Sequence, residues 1–164
     1  MAEASGSSMG TPAELAAVLD GLREQARHPL VVAARAGDLD AIRALAPEAD
    51  ADLRTLALEE AVHAGQPGSV RILLALGVEV TGAALQFAVE APALLALLLA
   101  TKPSEDAMHD ALATALLHEV PGAVDALLAA GLPRDGVNAS ARRLGSDAMR
   151  AHLGLPRRRR GRPR

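Results

Sequence analysis

Four leucines, Leu30, Leu58, Leu85 and Leu112, stand 28, 27 and 27 residues apart, and what surrounds them recurs with them. The stretch from Ala61 to Gly77 slides forward 54 positions onto Ala115 to Gly131 without a gap. Slid back 28, its start falls on Ala33 to Gly37, with Ile42-Arg43 under Val70-Arg71 and Leu45 under Leu73. Leu85 to Leu99 fits at 27 once two residues are dropped before its second half. A repeat of this length is one supersecondary unit that cannot bury its own apolar face. It buries that face against the units before and after it.

Each unit reads as two short helices joined by a turn. The first carries the marker leucine with an alanine three residues on (Leu30/Ala33, Leu58/Ala61, Leu85/Ala88, Leu112/Ala115), a spacing that puts both on one face. Pro67, Pro92 and Pro121 open the second helix, where the missing N–H costs nothing and the fixed φ helps. Gly77 and Gly131 close it, as a glycine in left-handed conformation does. Composition agrees. Alanine and leucine number 37 and 27, while valine and isoleucine together number 13 and Phe87 is the one aromatic residue. Ala and Leu lose little freedom in a helix, whereas β-branched and aromatic residues are the strand formers.

Ahead of the repeats, Thr11-Pro12-Ala13-Glu14 has the form of a capping box with proline in the first turn. Leu15, Val18, Leu19 and Leu22 follow at helical spacing, which predicts a helix over 12–26 serving as the N-terminal cap. Residues 1–10 are rich in Gly and Ser and are expected to be disordered. The expected organisation is a repeat domain over 11–155, with units at about 28–54, 55–81, 82–108 and 109–135. A degenerate cap follows at 136–155, with Leu144, Met149 and Leu153 facing inward. A basic tail occupies 156–164.

The first unit, His28-Pro29-Leu30-Val31-Val32-Ala33-Ala34-Arg35-Ala36-Gly37, resembles the ankyrin repeat signature Thr-Pro-Leu-His-x-Ala-Ala-x-x-Gly. Leu58, Ala61, Gly65, Leu73-Leu74 and Gly77 keep the pattern in the second unit. Leu85, Ala88 and Leu98-Leu99 keep it in the third, with Pro92 where Gly is expected. Leu112, Ala115, Leu127-Leu128 and Gly131 keep it in the fourth. The resemblance covers about residues 28–132 and implies an all-α fold, an α-solenoid of stacked helix-turn-helix repeats with helical caps. Ankyrin repeats run to ~33 residues. These run to 27–28, and the loss falls between Gly77 and Leu85, where the family carries its projecting hairpin finger. Trimmed fingers and almost no sheet are expected; a short-repeat helical solenoid of another lineage is the other reading.

In that family the exposed side of the first helices meets partners. Carried over, the resemblance assigns Arg35 and Ala36, His63 and Ala64, Glu90 and Ala91, and Leu117 and His118 to a protein-binding row. The function so implied is non-enzymatic capture of a protein partner by a monomeric chain.

Sequence chemistry offers little else. There is no cysteine, which removes disulfides, thiolate metal sites and thiol catalysis. The five histidines, His28, His63, His109, His118 and His152, form no His-Glu-x-x-His and no ligand cluster. His28 is read as a helix cap. Gly6-Ser7-Ser8-Met9-Gly10 has the letters of a nucleophile elbow without the strand and helix that the motif needs. Asp38/Asp40, Glu59-Glu60 and Glu105-Asp106 are each expected at or near a helix start, where acids complement the dipole. No catalytic residue, metal or cofactor is expected.

The formal charge of −3 conceals a split: Arg157 to Arg160, Arg162 and Arg164 hold six of 17 basic residues, leaving −9 on the rest. Arg160-Gly161-Arg162-Pro163, flanked by Arg159 and Arg164, resembles the core of an AT-hook. The rival reading is therefore a DNA-associated protein anchored by weak contacts of Arg159, Arg160, Gly161, Arg162, Pro163 and Arg164. Met1 to Gly10 lacks the basic and apolar regions of a secretory signal, and the run from Ala91 to Ala100 is too short to span a bilayer. A cytoplasmic protein with no membrane contact is the expectation.

Overall fold

A computed structural model describes residues 11–157. Among these residues there is no strand, and the chain is all-α. The helices are α1 (Pro12–Ala26), α2 (Pro29–Ala36), α3 (Leu39–Leu45), α4 (Ala51–His63), α5 (Pro67–Ala75), α6 (Gly82–Ala88), α7 (Pro92–Leu99), α8 (Glu105–Leu117), α9 (Pro121–Ala129), α10 (Arg134–Leu144) and α11 (Asp147–His152).

Ten of the eleven described helix starts are of two kinds, α10 with Pro133 as its cap residue being the exception. Asp38, Asp50, Thr81, Ser104 and Ser146 each accept the N–H three residues on, satisfying a donor that the helix leaves open. Helices α5, α7 and α9 have no side-chain cap and begin on Pro67, Pro92 and Pro121. Two helices use both devices. At α1 the Thr11–Glu14 capping box stands before Pro12. At α2 the Leu30 N–H donates to His28 Nδ1 (3.3 Å) ahead of Pro29.

Helices α2, α4, α6, α8 and α10 touch one another in chain order, each packing on the one before and the one after. Each of α2, α4, α6 and α8 also packs on the helix that follows it, α3, α5, α7 and α9, and α3 meets α5 as α7 meets α9. The core lies between these layers. Leu30, Leu58, Leu85 and Leu112 are at most 1% exposed, and Ala33, Ala61, Ala88 and Ala115 are buried beside them. The second helices contribute Ile42, Val70, Leu73, Leu95, Leu98, Val124 and Leu127. Alanines at the contacts let helix axes approach closely, so the leucines interdigitate with no aromatic filler.

At the C-terminal end Met149 and Leu153 are buried and Leu144 packs half-buried against the same core. The loops after the second helices, at 76–81, 100–104 and 130–133, hold no strand.

Two sequence expectations change. Within the apolar stripe of α1, Leu15, Val18 and Leu19 are 57%, 61% and 52% exposed, and the helix packs on α2. Glu59 and Glu60 do not begin a helix. Helix α4 starts at the Asp50 cap, two turns before Leu58, which puts both carboxylates in its C-terminal half. Glycine is also not the only residue in left-handed conformation: Glu119 and Lys102 both have φ +57°. Glu119 stands where the earlier units have Gly37 and Gly65, at φ +78° and +69°.

Candidate interaction face

The first helices expose the residues nearest their C-terminal ends, because the marker leucine and alanine turn the opposite side inward. Arg35, Ala36, His63, Ala64, Glu90, Leu117 and His118 are exposed, while Ala91 is half-buried against the core. These side chains are bridged from unit to unit. Arg35 Nε lies 3.7 Å from Glu60 Oε2. The ring of His63 stacks on Phe87, with centroids 4.8 Å apart and planes 12° from parallel. His118 Nδ1 lies 2.9 Å from Glu90 Oε1. Each rung therefore ties one unit to the next: α2 to α4, α4 to α6, and the α6–α7 turn to the end of α8. A further bond, His152 Nε2 to Asp125 Oδ1 at 2.9 Å, joins α11 to α9.

Sequence reading missed the second member of two rungs, Glu60 and Phe87. Phe87 carried a signal, since a lone aromatic residue in an alanine–leucine chain has no aromatic core to join. It is 47% exposed, and with Val32 at 52% and Leu117 at 63% it puts apolar surface among the polar rungs. Beyond Leu117 a cleft of about 280 Å³ lies between the end of α8 and the α10–α11 turn, lined by Leu116, Glu119, Leu144, Gly145, Ser146 and Asp147 as well as Leu117.

Glu59 has a structural job: Thr81 Oγ1 donates to its Oε1 (2.6 Å) while accepting the Ala84 N–H that caps α6. Asp38 caps α3 and Asp40 sits in its first turn, paired with Arg43 at 2.8 Å. Glu105 and Asp106 occupy the first turn of α8. Among the described residues, no group of three or more histidine and acidic side chains is placed to hold a metal ion. On the loop side, an open cleft of about 460 Å³ lies between residues 74–80 and Thr101–Ser104. Among the described residues no helix is long and apolar enough to cross a membrane.

The Gly6–Gly10 letters and the arginine-rich Arg159, Arg160, Gly161, Arg162, Pro163 and Arg164 lie outside the described residues. Compared with known protein families, with curated proteins and with solved structures, the chain matches none.

Proposed function

We propose that the chain is an ankyrin-like solenoid that captures a protein partner on the exposed face of its first helices and performs no catalysis of its own. The observation that carries this reading is the row of rungs, Arg35–Glu60, His63–Phe87 and Glu90–His118, which runs through successive units and ends at the exposed Leu117. A row fixed at regular intervals by contacts between units presents a preorganised surface, which lowers the ordering cost of binding. Its mixture of cation, carboxylate, imidazole and apolar groups suits a peptide segment with apolar anchors and charges of both signs. The buried leucine–alanine pattern and the left-handed turn glycines Gly37 and Gly65 support the ankyrin-like reading. Without fingers, the helical face carries the contact.

The test is affinity capture from the native host with the unaltered chain and with Arg35→Ala/His63→Ala/Glu90→Ala. The triple variant keeps its circular dichroism spectrum and melting midpoint but loses the proteins that the unaltered chain retains. Retention of the same proteins by the triple variant refutes the surface assignment.

A further inference from the structure

Charge divides this fold by layer. The first helices α2, α4, α6 and α8 with their closing turns, residues 29–37, 51–65, 82–91 and 105–119, carry eight carboxylates and two guanidiniums, a net of −6. The second helices α3, α5, α7 and α9 carry Asp40 and Asp125 against Arg43 and Arg71, a net of zero. Of the two bases in the first layer, Arg35 is held beside Glu60, and Arg54 lines a cleft on the loop side with Gly77, Val78 and Glu79. Six of the eight acids, Asp52, Glu90, Glu105, Asp106, Asp110 and Glu119, are exposed. Helix α10, with Arg134, Arg142 and Arg143 against Asp135, has the opposite sign and ends the acidic stretch.

Apolar surface follows the same layer. Among the described residues outside α1, the exposed large apolar side chains are Val32, Phe87 and Leu117, each on a first helix, and Leu76 at the end of α5. Residues two and five places past the marker leucines are Val32/Arg35, Glu60/His63, Phe87/Glu90 and Thr114/Leu117, and each pair stands one turn apart on one side of its helix. The rungs Arg35–Glu60, His63–Phe87 and Glu90–His118 stitch these pairs side by side across four units. Asp110, four places before Thr114, extends the same side toward the helix starts. A Cβ added at Gly82 would run into its carboxylate, which therefore lies against the first turn of α6.

We infer that this face takes a basic amphipathic helix laid across the first helices, its apolar stripe on Val32, Phe87 and Leu117 and its lysines or arginines toward Glu90, Asp106 and Asp110. The inference rests on capture by this face and narrows the chemistry of the partner. Its sign follows from the net of −6, which attracts cationic segments and repels acidic ones and nucleic acid. Its shape follows from spacing. Packed helix axes lie ~8–10 Å apart. A helix crossing them advances ~10 Å in seven residues, two turns, so every unit meets the same stripe of the ligand. An extended segment covers that distance in about three residues, an odd number, and turns successive anchors to opposite sides. Phe87 and Leu117 belong to adjacent units, and Val32 lies two units before Phe87. The matching anchors on the ligand therefore fall about seven and about fourteen residues apart, on one side of a helix.

The test is fluorescence anisotropy of the full chain with a labelled synthetic peptide of about 21 residues, Leu at heptad spacing and Lys at the flanking positions. The controls are the same peptide with Glu for Lys and with Ser for Leu. The Leu/Lys peptide binds about tenfold or more tighter than either control, and its affinity falls as salt rises. Phe87→Ala/Leu117→Ala, with the circular dichroism melt unchanged, lowers that affinity about tenfold or more. Arg35→Gln removes a guanidinium that repels the peptide and tightens binding about threefold. Equal binding of either control, or an unchanged affinity in the double variant, overturns the inference. Binding that appears only after residues 158–164 are deleted gives the face to the chain's own arginines, and self-association lost in the double variant gives it to a second copy; either result overturns the inference as well. Failure of every peptide, while the Arg35/His63/Glu90 triple variant still loses its captured proteins, overturns this chemistry alone and leaves capture on the face standing.

Discussion

Leu73 and Leu76 lie on the same stretch of chain, one turn apart, and the fold treats them oppositely. Leu73 in α5 is fully buried, while Leu76, the cap residue of that helix, is 40% exposed. Leu73→Ala removes three carbons from the space between α5 and its neighbours. At about 0.8 kcal/mol per buried methylene the transfer loss is about 2.4 kcal/mol, and the cavity left behind brings the cost to ~2–5 kcal/mol. Leu76→Ala removes the same carbons from a site that water already reaches, and costs under ~1 kcal/mol. The repeat adds a second arm, because Leu127 stands 54 residues beyond Leu73 and is also fully buried. Leu127→Ala is therefore expected to cost as much as Leu73→Ala. The assay is urea unfolding followed by circular dichroism, since the chain has neither Trp nor Tyr to report by fluorescence. A loss below ~0.5 kcal/mol at Leu73, or equal losses at Leu73 and Leu76, refutes the placement of these leucines.

Ser69 is fully buried with no hydrogen-bond partner for its hydroxyl, and the matching residue 54 positions on is buried Ala123. Ser69→Ala is expected to be neutral or to stabilise by up to ~1 kcal/mol in the same urea assay, and a loss greater than that refutes the reading. Glu119→Gly and Lys102→Gly relieve left-handed backbone and raise stability by up to ~1 kcal/mol each, less the entropy that glycine adds to the unfolded chain; a lowered denaturation midpoint in both counts against it. Asp50→Ala removes the carboxylate that accepts the Leu53 N–H (2.8 Å) and costs ~1 kcal/mol. If the midpoint does not move, α4 is not held at that end by its cap.

Features that depend on neighbours in the chain were legible in the sequence. The Thr11–Glu14 box, Pro67, Pro92, Pro121 and the leucine–alanine pairs each act within one or two turns, so their spacing predicts both helix and buried face. The length of α4 and α8, 13 residues each against eight and seven for α2 and α6, was not read: Asp50 and Ser104 cap these helices, whereas the sequence reading put Glu59-Glu60 at or near a helix start. Features that depend on what lies across a gap were not legible. The stripe of α1 marks an apolar face but not whether anything covers it. His63 and Phe87 are 24 residues apart and Glu90 and His118 are 28 apart, so they meet only once the units are laid side by side. Arginine is almost never buried unless its donors are matched, and no local pattern around Arg150 announces the two carbonyls that match them.

The rungs and the core divide the work of this fold. Exposed ion pairs contribute about 0–1 kcal/mol each, because solvent screens them and holding two side chains in register costs entropy. Arg35–Glu60 and Glu90–His118 are of that kind, with side chains 68% exposed at Arg35 and 70% at Glu90. Stability therefore resides in the marker leucines and in the alanines that let the helices close on them. The face is left with side chains whose loss the fold tolerates. A surface so composed can be altered at Arg35, His63 and Glu90 without unfolding the units beneath. For that reason loss of the proposed partner binding and loss of structure are separable at those positions, and they are not separable at Leu58 or Leu85, which are fully buried.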